Sequence, residues 1–326
     1  MPADDLQDQL TKYLTDAHSI EQQALAQLRT APKIAGDAQI ARAFAQHLTE
    51  TEGHERLVRE RLEGRHASPS TVKDLLGTLT GKGFVAFARV QPDTPGKLVA
   101  HAFSYEHMER AAYELVGMVA ERAHDGQTVD VARVIAAEEA EMAQRLSEAF
   151  DAAAEASLRE RANDGLEELL NTYLADAHAL EVQARKLLEK GSTLAGTDEL
   201  AATYQEHLTQ TDEHERLVSA RLHARGSHPS TIKDAALRVG ALNWGAFFQA
   251  QPDTPAKLAG FAYAFEHLEI AGYELLKRVA RRAADGETEQ MAERIIADER
   301  HAAEGIHSLF EQALEASLPK LGMTAR

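Results

Sequence analysis

Residues 43–58 read AFAQHLTETEGHERLV, and residues 203–218 read TYQEHLTQTDEHERLV. Over 41–60 against 201–220, ten of twenty positions are identical. The offset of 160 holds elsewhere. DAHSIEQQA from Asp16 returns as DAHALEVQA from Asp176, QPDTPGKL from Gln91 as QPDTPAKL from Gln251, SYEHMERAAYEL from Ser104 as AFEHLEIAGYEL from Ala264, and EASL from Glu155 as EASL from Glu315. A period this long is no solenoid unit. It marks a duplicated domain, with copies expected at 1–156 and 164–318. The join falls near 157–163, SLRERAN, which is charged, lacks Pro and Gly, and reads as continuous helix rather than a loose linker.

Within each copy the apolar spacing is helical, and no period-2 run suggests a strand. In copy one, helices are expected over about 5–28, 37–62, 94–124 and 128–154. Pro32 and Gly36 end the first; Gly64 ends the second. Thr94-Pro95 suits an N-cap and first position, and Asp125-Gly126 breaks the third helix. The first-to-second and third-to-fourth connections are short, but about 30 residues lie between the second and third. A capped short helix is expected inside that connection, at 70–76. The fold class is therefore all-α: two tandem four-helix bundles, each with a long crossover between helices 2 and 3, the ferritin-like arrangement.

Composition narrows the function. There is no cysteine, which excludes disulfides, zinc–cysteine sites, iron–sulfur clusters and thiol chemistry. The 52 acidic side chains against 35 basic ones give a net charge of −17, unsuited to general nucleic-acid or anionic-membrane binding. No apolar run reaches a membrane span, and MPADDLQDQL is not a signal peptide, so a cytoplasmic protein is expected.

The informative residues are polar side chains on apolar stripes. Glu21 falls among Leu14, Ala17, Ala24 and Leu28. Glu109, with Glu106 beside it, falls among Ala102, Tyr105, Ala112 and Val116. Glu138 and Glu139 lie between Ile135 and Met142, and the register leaves open which points inward. On the second helix the stripe is Phe44, Leu48, Val58 and Leu62, with Thr51 central and Glu50 and His54 flanking. Any single acid beside a stripe is more often a solvated flank. Glu21/Glu181 and Glu109/Glu269 are stronger, because both sit between apolar neighbours in both copies.

Buried carboxylates repel one another unless paired or metal-bound. A pair of divalent cations held by carboxylates and imidazole resolves this, and the donor types suit iron first and manganese second. The candidate ligands are Glu21, Glu50, His54, Glu106, Glu109, Glu138 and Glu139 in copy one. In copy two they are Glu181, His214, Glu266, Glu269, Asp298, Glu299 and His301, where Asp298 and His301 have the i, i+3 spacing of di-metal bundles. Glu50 is replaced by Gln210, so copy two is expected to have lost a ligand. His18/His178, His47/His207 and His107/His267 are expected at the surface or hydrogen-bonded behind the ligands. Tyr113/Tyr273 either bonds a site carboxylate or simply packs.

DAHSIEQQA, AFAQHLTETEGH, YEHMERAAYEL and the Glu pair in AAEEAEM, in that order, resemble the YciE/YciF family of ferritin-like, stress-associated bacterial proteins. The resemblance covers each 160-residue unit nearly end to end. It implies a di-iron centre at Glu21, Glu50, Glu106, Glu109 and Glu138 or Glu139, and at the matching positions of copy two. His54 and His214 stand where Gln is expected, and Gln210 is a further departure.

Two function classes follow. The first is a di-metal carboxylate protein of stress response, using O2 or peroxide in ferrous oxidation or peroxide reduction. The second is a metal-free helical stress or interaction protein without catalysis. A bundle with a small organic ligand is a weaker third. The duplication is expected to pack as a pseudo-dimer within the chain, with a homodimer as a further assembly and a cage disfavoured.

Overall fold

A computed structural model describes residues 3–67, 94–160, 165–228 and 253–318. The chain divides into two compact units, Met1–Glu160 and Arg161–Arg326. The described residues are almost all helical. The first unit contains α1 (Ala3–Leu28), α2 (Ala31–Ile34), α3 (Ala38–Glu63), α4 (Thr94–Arg122), α5 (Gly126–Glu148) and α6 (Phe150–Arg159). The second contains α7 (Gly165–Leu194), α8 (Asp198–Ala224), α9 (Thr254–Arg282), α10 (Gly286–Ser308) and α11 (Phe310–Ser317). The short helix expected at 70–76 lies outside the described residues, as does most of the crossover.

Helix direction follows from which ends meet. Gln7, near the start of α1, donates to the Ala123 carbonyl just past α4 at 2.7 Å. Arg61 and Arg65, at the end of α3, both reach Asp125 at the start of α5, at 3.0 Å. At the opposite end, Gly36 before α3 lies against Pro95 of α4 and Ala156 of α6. So α1 and α5 run one way, and α3 and α4 the other. Helix α3 has 26 residues and is therefore about 39 Å long. The chain must retrace that length before α4 begins, which is the physical reason for the long crossover. α1 packs on α3 and α4, and α5 on α3 and α4, closing a four-helix ring.

The second unit repeats the scheme. Arg221 and Arg225 reach Asp285 at 2.8 and 2.7 Å, and Gly196 lies against Pro255 and Ala316. The all-α, tandem-bundle reading of the sequence is thereby realised. No helix among the described residues is long and apolar enough to cross a membrane.

Local chemistry explains the helix ends. Asp37 caps α3 by accepting from Gln39 N at 2.7 Å and Ile40 N at 3.2 Å. Asp125 caps α5 by accepting from Thr128 N at 3.0 Å. Gly36 has φ +67°, and a Cβ there would come within 2.5 Å of Pro95 Cγ, so only glycine fits the junction.

One expectation is corrected, and the two copies differ at one place. The fourth helix does not run unbroken over 128–154. It turns at Ala149, whose N–H donates to Leu146 O at 3.0 Å, a tighter i→i−3 turn that re-aims the chain. The redirected α6 buries Phe150 edge-on against Phe103, with centroids 5.4 Å apart. It also brings Ser157 Oγ to accept from Gly96 N at 2.9 Å, satisfying a free donor in the first turn of α4. The first helix differs between copies. It stops at Leu28 in unit one but continues to Leu194 in unit two. Pro32 cannot donate to Leu28 O and its ring crowds that carbonyl, whereas Ser192 stands at the matching place.

Candidate metal centre

The ends of each bundle are aliphatic, and its middle is not. On α3 the buried residues are Ile40, Phe44, His47, Thr51, His54, Val58 and Leu62, a 4-3-4-3-4-4 spacing that is one helix face. On α5 they are Thr128, Ala132, Ile135, Glu139, Met142, Ala143 and Leu146. α1 adds buried Glu21, and α4 adds Glu106 and Glu109. Six ionisable side chains from four helices thus meet in the core, each at most 3% exposed.

They form two overlapping groups. Donor atoms of His47, Glu106, Glu109 and Glu139 all lie within 4.8 Å of one another, as do those of Glu21, His54 and Glu139. Glu139 belongs to both and stands between them. Its Oε2 is 3.2 Å from His47 Nε2, and its Oε1 is 2.9 Å from His54 Nδ1. The second unit has the same construction: His207, Glu266, Glu269 and Glu299, then Glu181, His214 and Glu299.

Many of the inward-facing atoms lack a hydrogen bond. They include both oxygens of Glu109 and Glu139, Oε2 of Glu21 and Glu106, Nε2 of His47 and Nδ1 of His54. His47 Nε2 comes within 3.0 Å of Glu106 Oε2 without the alignment of a hydrogen bond. Leaving so many polar atoms unsatisfied in one core is costly, and a cluster of this kind calls for an explanation. Hard oxygen donors plus imidazole nitrogen, converging in two groups whose members each lie within 4.8 Å of one another, fit divalent cations.

The outward sides of the ligand-type groups are, by contrast, satisfied. His47 Nδ1 is 3.0 Å from Glu50 Oε2, and His54 Nε2 is 2.6 Å from Glu138 Oε2. Glu50 is in turn gripped by Arg145 Nη1 at 3.1 and 3.2 Å. Tyr113 donates to Glu21 Oε1 in a short bond, and Tyr273 does the same to Glu181. This settles the open reading of that tyrosine: it bonds a site carboxylate. Each imidazole is thus held by a partner behind it with the other nitrogen turned inward.

Electrostatics follow the geometry. Burial pushes the Glu21 and Glu106 carboxyls up to about 8, and Glu109 well above the ordinary carboxylate range, with the neighbouring Glu139 charge adding to each. Glu139 is held low despite its burial, by His47 and His54. Burial pulls the His54 imidazole down, but Glu139 and Glu21 outweigh it and hold it at about 9. His47 is likewise held above the ordinary imidazole range against its burial, chiefly by Glu106. Without metal, protons carry the positive charge this core requires.

Several sequence expectations are revised by placement. Glu50 is not in the cluster; it lies at the edge of the bundle behind His47. Of the two candidates on α5, Glu139 points inward, while the Glu138 side chain is 42% exposed and lies behind His54. In unit two, Asp298 lies behind His214 at 3.2 Å, and Gln210 Oε1 lies behind His207 at 3.0 Å. His301 is exposed: three residues after Asp298, it continues that outer face rather than the face of Glu299. The replacement of Glu50 by Gln210 therefore removes no inward-facing group, and unit two keeps all six.

His47 and His207 are the residues that sequence reasoning misplaced. They stand in the cluster, not outside it. The signal was available. His47 lies three residues after Phe44 and four before Thr51, on the stripe itself, whereas Leu48 is only half-buried. His18 and His107 do lie apart from the cluster. His18 Nε2 is 3.0 Å from Glu55, and His107 Nδ1 donates to the Phe103 carbonyl at 2.8 Å.

The family described as a domain of unknown function (DUF892) matches residues 5–159 and again residues 165–318, a span for each bundle with its six-residue cluster. The chain belongs to that family and carries its domain twice.

Proposed function

We propose that each unit is a di-metal carboxylate centre, with iron as the resident metal and manganese as the alternative, serving ferrous oxidation or peroxide chemistry in stress response. The observation that carries this reading is the set of buried, inward-facing donor atoms without hydrogen bonds, contributed by four helices and repeated in both units. Glu139, which belongs to both groups, would help to hold both ions. His47, Glu106 and Glu109 would complete one coordination sphere, and Glu21 and His54 the other. When bound, a pair of redox-active cations supplies electrons and Lewis acidity toward O2 or peroxide.

The chain's own residues do the rest. Glu50 and Glu138 orient the two imidazoles. Tyr113 holds Glu21 by its Oε1 and leaves the other oxygen turned inward. Leu14, Ala17, Ile135 and Met142, all buried, exclude bulk water from the site. The stress role rests on the family resemblance alone.

The test is metal analysis of the full chain, produced in iron-supplemented medium and purified without a chelating tag, together with an anomalous-scattering map at the iron edge. The expected result is up to four metals per chain, paired within each unit. Fewer than about 0.3 per chain, with no rise in melting temperature on adding ferrous or manganous ion, refutes the reading in favour of a metal-free interaction protein.

A further inference from the structure

The six inward-facing residues are of the same type in both units, yet the groups behind the two histidines are not. In unit one, His47 Nδ1 faces the carboxylate of Glu50 at 3.0 Å; in unit two, His207 Nδ1 faces the neutral amide oxygen of Gln210 at the same distance. Behind the second histidine, Glu138 Oε2 stands 2.6 Å from His54 Nε2, while the shorter Asp298 leaves its Oδ2 3.2 Å from His214 Nε2. The change at Glu50 is accompanied by another. Arg145, which grips both Glu50 oxygens, has Gly305 at the matching position, so the carboxylate and its counter-charge are exchanged together. A carboxylate accepting an imidazole N–H makes the opposite nitrogen a stronger donor than an amide oxygen does, and a shorter bond does so more than a longer one. Both differences act in the same direction.

Resting on the metal-centre reading, we infer that the two units are graded: the centre of Met1–Glu160 takes up divalent cation first, and that of Arg161–Arg326 fills only at higher concentration. Glu50 and Gln210 are the positioning residues that set the order. Neither belongs to the inward-facing groups, so exchanging them changes donor strength without removing a donor. Groups of this kind commonly change metal affinity by about 10–100-fold, which sets the expected gap. A chain with one early-filling and one late-filling centre responds to metal over a wider concentration range than two equal centres would.

The experiment is calorimetric titration of the chelator-treated full chain with Mn2+, checked by circular dichroism for intact helix. Wild type should show two classes of site differing about tenfold or more. Glu299→Gln should leave chiefly the tight class, and Glu139→Gln chiefly the weak one. Glu50→Gln should bring unit one down to the weak class, and Gln210→Glu with Gly305→Arg should bring unit two up to the tight class. These exchanges read the order even if the Glu139 and Glu299 variants do not fold. Binding in both units with equal affinity, or tighter binding in unit two, overturns the grading and leaves the metal centre standing. No Mn2+ binding in either unit overturns the metal centre itself.

Discussion

Replacing Glu21 and Glu181 by Gln should stabilise the metal-free protein. Glu21 and Glu181 are fully buried, and burial holds both carboxyls at about 8. An unfolded chain ionises glutamate near its ordinary value of 4.5. At pH 7 the folded state therefore retains a proton that the unfolded state releases. The penalty is about 1.4 kcal/mol for each of roughly 2.5 pH units, or about 3 kcal/mol per unit. Gln has the same shape, keeps an acceptor for Tyr113 and Tyr273, and needs no proton. The double variant E21Q/E181Q, stripped of metal with chelator, should gain about 3 kcal/mol in each unit at pH 7. For a unit of this size that is a rise of about 6–12 °C in melting temperature. The gain should shrink to a few tenths of a kcal/mol at pH 4.5, where the penalty nearly vanishes. The same variant should lose most of the stabilisation that Mn2+ gives to wild type. Thermal unfolding at the two pH values, with and without Mn2+, reads all of this. A gain equal at both pH values, or a loss of stability at pH 7, would refute the account of the buried carboxyls; an undiminished Mn2+ shift would refute the role of Glu21 and Glu181 as ligands.

Four other outcomes follow from the same structure. Since Glu21, Glu106 and His54 all have raised folded values, the metal-free fold binds more protons than the unfolded chain between about pH 4.5 and 9, so its stability should fall as pH rises through that window. Metal uptake near pH 7 should release several protons per unit, measurable by calorimetry in buffers of different ionisation enthalpy, and proton-neutral binding would contradict it. Gly36→Ala should cost at least about 1–2 kcal/mol in urea unfolding, because alanine at φ +67° is strained and its Cβ would press on Pro95. Asp125→Ala should cost about 1–2 kcal/mol, since it removes the α5 cap and the shared partner of Arg61 and Arg65; a change below about 0.3 kcal/mol would show that this end junction is held by packing alone.

How far the sequence carried the site varied by helix, for definite reasons. On α1 and α4, Glu21 and Glu109 stand between apolar residues at helical spacing in both copies, which favours the inward direction they take. On α5, Glu138 lies three residues after Ile135 and four before Met142, and Glu139 lies four after and three before. Both fit the same stripe, and only the rotation of α5 against its neighbours selects Glu139. On α3, taking Leu48 as core displaced the stripe by one position and put His47 outside it. Hydrophobicity was the misleading cue, because a polar centre inverts the usual preference at mid-helix: there the histidine is buried and the leucine is half-exposed.

The sequence alone determined the duplication, the helical fold, the long crossover and the presence of carboxylates in the core. These depend on repetition, local periodicity and chain length, all of which are properties of one dimension. The tertiary structure alone decided which groups face inward and which stand behind them. Glu50, Glu138, Gln210 and Asp298 looked like ligands, or like lost or shortened ones, until the rotation of each helix and the reach of each side chain placed them behind the histidines. Such a distinction rests on angles of a few tens of degrees between packed helices, and these arise only when four separate stretches of chain share one interior.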